Sequence, residues 1–123
     1  MEQETQDFLQ RKVELAYLEA FYSGLLTDKQ KEVLSMYCEE DMSLGEIARE
    51  TGVSRQGVYN VLTRSAEKLF HLEASLGTAE RFRVMQNGLQ TCRNLLGEGK
   101  TDQAISQLDD LIRLYTEEDG YGL

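Results

Sequence analysis

Five polar residues, Arg55, Gln56, Tyr59, Asn60 and Thr63, recur at steps of three and four along one short stretch of a 123-residue chain. At the start of a helix, guanidinium and carboxamide groups are the side chains able to make paired hydrogen bonds to the edges of bases in a major groove. Ser54, just ahead of them, caps that helix and belongs to the same candidate DNA-binding set. Lys29, Lys31, Arg49, Arg64 and Lys68 are the nearby cations and the candidate phosphate contacts. The chemistry these types imply is recognition of nucleic acid, and the competing reading is the solvated polar face that any three-helix scaffold presents.

Catalysis finds little support. His71 is the only histidine and sits among leucines, so no triad can be assembled, and the expectation is a protein that is not an enzyme. Ser54, Arg55 and Gln56 lack the Gly-rich approach and the Lys of a phosphate loop. Cys38 and Cys92 are too few and too far apart for a metal box, and the expectation is two free thiols, no metal and no cofactor.

Such side chains need a rigid mount, and the run from Met42 to Leu69 describes one. Ser43 followed three residues later by Glu46 is a capping box, which opens a helix. Ile47 and Ala48 face inward, with a small residue where two crossing helices come closest. Gly52 stands where the chain needs positive φ. Val53 fills the corner, Ser54 caps a second helix, and Val58, Val61 and Leu62 form its inner face. Gly57 is expected to loosen the first turn of that helix.

These residues carry a resemblance. The stretch from Leu25 to Phe70, with Phe21-Tyr22 ahead of it, resembles the DNA-reading C-terminal segment of bacterial sigma factors. Within that group it most resembles the YlxM-like family, small bacterial helix-turn-helix proteins linked to the signal recognition particle. Its marks are Leu25-Leu26-Thr27-Asp28-Lys29-Gln30, Ser43-Leu44, Glu46-Ile47-Ala48, Gly52-Val53-Ser54-Arg55-Gln56, Val58-Tyr59 and Arg64. The resemblance implies either a DNA-binding regulator or an accessory factor that touches the protein or RNA of that particle.

Charge bears on the choice. Thirteen basic against twenty-two acidic residues give a net charge of −9, which repels a polyanion at long range. Most of the excess lies outside the candidate site: residues 28–70 hold six basic and eight acidic side chains, whereas residues 98–123 hold two and seven. No segment has the order of a signal peptide or the length of a membrane span, so the expectation is a cytoplasmic protein with no membrane partner.

With no Pro and no Trp and with 41% hydrophobic residues, the chain is expected to be all-α. The periodicity predicts a first helix settled by Phe8, with Leu15, Leu18, Tyr22 and Leu25 inward, and a second from the Thr27 cap to about Glu39. The recognition helix is expected to run long, through Ala66, Leu69, Leu72 and Leu76, until Gly77-Thr78 stops it. The expected organisation is a trihelical, wingless, sigma region 4-like helix-turn-helix domain over 1–77, then a C-terminal helical hairpin over 78–123 that serves packing or dimerisation. The seams of the hairpin are Phe82, Met85, Leu89, Cys92 and Leu96 against Ile105, Leu108, Ile112 and Tyr115, interrupted by Gly88, and its acidic end from Glu117 is expected to be disordered. Phe8, Phe21, Leu72 and Leu76 exceed what one trihelical core covers, which predicts a homodimer.

Overall fold

The structure, a computed structural model, describes residues 11–116; the expected early start at Phe8 and the expected disordered end fall outside that range. Among the described residues six α-helices follow one another: α1 (Lys12–Tyr22), α2 (Asp28–Cys38), α3 (Leu44–Thr51), α4 (Arg55–Leu76), α5 (Thr78–Gly97) and α6 (Thr101–Thr116), with a 3-10 turn Ser23–Leu25 after α1. Among the described residues there is no strand, and the fold is all-α. The chain separates into two compact units, residues 1–79 and 80–123.

In the first unit, local chemistry places each helix end. Thr27 and Gln30 close a reciprocal capping box at the start of α2, and Ser43 and Glu46 do the same for α3. Each box satisfies two backbone amides that a helix start otherwise leaves unpaired. Gly52 ends α3 at φ 76°, a left-handed conformation that a Cβ disfavours, and the chain turns at once into α4. Leu15, Leu18, Leu34, Ile47, Val58, Leu62 and Leu69 are fully or almost fully buried, so α4 forms the central strut on which α1, α2 and α3 pack.

The apolar stripe of α1 does not continue to Leu25. The chain tightens into the 3-10 turn, where the Leu26 N–H donates to the Ser23 carbonyl at 3.0 Å, and the change of period turns Leu26 inward and leaves Leu25 52% exposed. Phe21 and Leu72, expected as surplus apolar surface, pack against the core, Phe21 edge-on to Tyr17 at 5.1 Å. Gly57 has a purpose beyond flexibility. A Cβ there would lie 2.7 Å from Val53 Cγ1 and 3.1 Å from Ser54 Oγ, so the missing side chain lets the corner valine fold onto the first turn of α4.

A junction that periodicity did not reveal ties α1 to the end of α4. The Tyr22 hydroxyl donates to Glu73 Oε1 at 2.6 Å and accepts from the Thr78 N–H at 3.2 Å, and the Ala79 N–H donates to the same carboxylate oxygen at 3.1 Å. Tyr22 and Glu73 thus satisfy amides exposed where the chain leaves α4. Tyr22→Phe is expected to cost about 1–3 kcal/mol, because the carboxylate and the Thr78 amide lose a partner in a largely buried setting. Urea unfolding monitored by circular dichroism measures this, and a midpoint equal to that of the parent contradicts it.

In the second unit, α5 and α6 form the expected hairpin but meet along a different line. A Cβ on Gly88 would stand 2.5–3.0 Å from three side-chain atoms of Leu111, so Gly88 is the close approach of the two helices rather than a break in a seam. Cys92 is buried, and its thiol donates to the Ala104 carbonyl at 3.7 Å. The Tyr115 hydroxyl donates to the Arg81 carbonyl. Helices joined through Gly88, Cys92, Ala104 and Leu111 sit close together, and the expected seam residues Phe82, Leu89, Leu96, Ile105, Leu108 and Ile112 are left 37–57% exposed.

Candidate nucleic-acid interface

The interface is built on the corner of α3 and α4. Ser54 caps α4, its Oγ accepting the Gly57 N–H at 3.0 Å. Arg55, Gln56 and Asn60 are exposed on the first two turns, and Gln56 Nε2 donates to Asn60 Oδ1 at 3.1 Å. That bond aligns the two carboxamides one turn apart, the spacing at which side chains of a helix share one face. Two members of the sequence-derived set are less free. Tyr59 is half-buried and packs against the core, and Thr63 is half-buried with its hydroxyl donating to the Tyr59 carbonyl at 2.8 Å. Their position at the edge of the inner stripe of α4 draws them toward the hydrophobic core.

Beside this face, α2 and α4 enclose an open cleft of about 350 Å³ lined by Thr27, Lys29, Gln30, Asn60, Val61 and Arg64. It brings the amino-terminal end of α2, where helix geometry concentrates partial positive charge, next to Lys29 and Arg64. Lys29 also reaches Glu32 at 3.2 Å, an exposed pair that contributes little by itself and leaves the ammonium accessible. Thr27 and Gln30 were legible as a capping box but not as cleft residues, since nothing local in the sequence says which helix end meets which face. Lys31, 3.7 Å from Asp28, and Arg49 and Lys68 do not line the cleft. Glu67, exposed one turn beyond Thr63, puts a negative charge on the same side of α4.

Two carboxylates near the start of α3 are held ionised. The Ser43 backbone amide and hydroxyl hold Glu46 below the usual carboxylate range, and hydrogen bonding to Lys12 does the same for Asp41. Both therefore stay charged on mild acidification, and the Glu46 cap is lost only as pH falls through its lowered value. Cys38 behaves oppositely: burial pushes its thiol up to about 11. At pH 8 it should alkylate with iodoacetamide on the order of 100-fold more slowly than an ordinary thiol, because the thiolate is the nucleophile. Mass-resolved labelling of folded against urea-unfolded chain checks this; equal rates at Cys38 contradict it.

Residues 9–116 match the family model described as "Putative helix-turn-helix protein, YlxM / p13 like". The chain belongs to this family. A UPF0122 protein of Shouchella clausii is 38% identical over 104 residues, covering 85% of this chain and 93% of that one. The UPF0122 protein YlxM of Bacillus subtilis is 36% identical, over 85% and 94% of the two chains. A UPF0122 protein of Exiguobacterium reaches 42% over 69% and 79%. The family match covers both the helix-turn-helix and the two helices that follow it. Among the described residues no group of three or more His, Cys, Asp or Glu could hold a metal ion, and no helix is long and apolar enough to cross a membrane.

Proposed function

We propose that this protein is a cytoplasmic regulatory protein that binds duplex DNA through the α3–α4 corner. In this reading the first turns of α4 enter the major groove, with Arg55, Gln56 and Asn60 toward base edges, while Lys29, Arg64 and the amino-terminal end of α2 hold a phosphate. The observation that carries it is the convergence of exposed Gln56 and Asn60 with the cleft where Lys29 and Arg64 meet. Ser54 touches the backbone at the entry of the helix, Arg55 is within reach of both a phosphate and a base edge, and Tyr59 and Thr63 bound the footprint on its inner side. Arg49, Lys31 and Lys68 serve as outlying phosphate contacts. Fluorescence anisotropy on random duplex in about 50 mM salt, where counterion release helps most, tests the reading. Absence of binding there removes it.

A second reading is favoured by the net charge of −9. In it the chain is an accessory protein of the signal recognition particle and uses the same corner on the protein or RNA of that particle, with no operator. Filter binding to the particle's RNA and co-sedimentation with its protein separate the two readings. The regulator binds random duplex and selects preferred sites from it, whereas the accessory protein binds only the particle.

A further inference from the structure

The hairpin leaves one side open. Leu89 and Leu96 on α5 and Ile105, Leu108 and Ile112 on α6 are 37–57% exposed. Of these, Leu89, Leu108 and Ile112 line an apolar groove of about 250 Å³ together with Met85, Leu111 and Tyr115. Half-exposed side chains of this size leave apolar surface on the order of 500 Å² open to water, at the upper end of what a monomer shows. If about 65% of a homodimer interface is apolar, that surface matches a buried area of about 800 Å² per copy, the size of a stable interface.

Charge says which partner fits. Over residues 80–116 the five acidic side chains balance the five basic ones, so the hairpin carries no single-signed field to draw in an acidic or a basic partner. The balance is divided between the helices. α5 holds Arg81, Arg83 and Arg93 against Glu80, a net of +2, and α6 holds Asp102, Asp109 and Asp110 against Arg113, a net of −2. The rim is placed accordingly. Arg93 lies one turn from both Leu89 and Leu96 on the open face of α5, and Asp109 lies one turn from both Ile105 and Ile112 on that of α6.

From this we infer that the open face is the interface of a homodimer in which α5 of each copy lies against α6 of its partner across a two-fold axis. In that arrangement each apolar face covers the other, and Arg93 at the rim of each copy meets Asp109 at the rim of its partner, while Arg83 with Glu80 and Arg113 with Asp110 pair within their own helices. The alternative two-fold packing, α5 on α5, sets like charges together and is disfavoured. The interface lies outside the α3–α4 corner, so the inference stands whether or not the corner binds DNA.

The test is sedimentation equilibrium of the full chain, free of nucleic acid, at about 50 µM, where association is read directly as mass. The parent is expected at twice its 14.0 kDa chain mass. Leu89→Glu with Ile112→Glu is expected to sediment as a monomer with unchanged helical circular dichroism, since both positions face water in the single chain. Arg93→Asp is expected to weaken association about tenfold, and adding Asp109→Arg to restore it. The restoration is a readout that simple unfolding does not produce. A monomeric parent would assign the face to another occupant and overturn the inference, as would a charge swap that fails to recover association.

Discussion

Leu62→Ala is expected to lower the unfolding free energy of the helix-turn-helix unit by about 2–5 kcal/mol. Leu62 is fully buried on the inner face of α4, in one cluster with Leu15, Leu18, Val33, Leu34 and Ile47 from the three helices that α4 supports. Truncation removes transfer free energy and leaves a cavity that helices held by capping boxes on either side cannot readily close. Domains of this size have about 5–15 kcal/mol in total, so the change consumes a large share. In urea the midpoint should fall while the slope stays constant. Leu76→Ala is the control: that side chain is 48% exposed, and its truncation should shift stability by no more than about 0.5 kcal/mol. Equal effects of the two substitutions would contradict the placement of α4 as the central strut.

The second large effect concerns binding. Arg55→Ala should cost about 1–3 kcal/mol on a preferred duplex site, roughly a 5- to 150-fold loss, and should erase part of the preference. Arg64→Ala should weaken binding to all sequences alike and reduce the slope of log K against log salt by about one unit. The contrast follows from position. Arg55 is the first residue of α4, the end that enters a groove, whereas Arg64 lies roughly 14 Å further along the axis, in the cleft with Lys29. Both side chains are exposed, so neither change should alter the melting temperature. Site selection from random duplex followed by salt titration, for the parent and both variants, measures all of this. If Arg55→Ala keeps the parental preference, the amino-terminal end of α4 is not the reading element.

What could be read in advance was whatever depends on a few neighbouring residues. Thr27 with Gln30 and Ser43 with Glu46 announced two helix starts, Gly52 announced the turn between α3 and α4, and Gly77 the end of α4, because caps and positive φ are decided over three or four residues. The inner faces of α1 and α4 followed from their period for the same reason. The polar set on α4 was legible as residue types, yet its division into exposed Gln56 and Asn60 and half-buried Tyr59 and Thr63 depends on how far the core reaches round the helix.

The sequence alone thus determined the helices, their order and the helix-turn-helix at their centre. Tertiary structure decided the rest. Only packing shows that Leu26 replaces Leu25 in the core, that Tyr22 and Glu73 bind the chain leaving α4, and that the end of α2 joins Arg64 in a cleft. Most clearly, a pattern of apolar residues says which side of a helix avoids water but not which neighbour covers it. In the hairpin, Gly88 admits Leu111 so closely that the helices meet through small residues, and the large apolar side chains of the periodic seam remain on the outside. Periodicity reports burial, whereas the distance at which two backbones can approach decides what is buried against what.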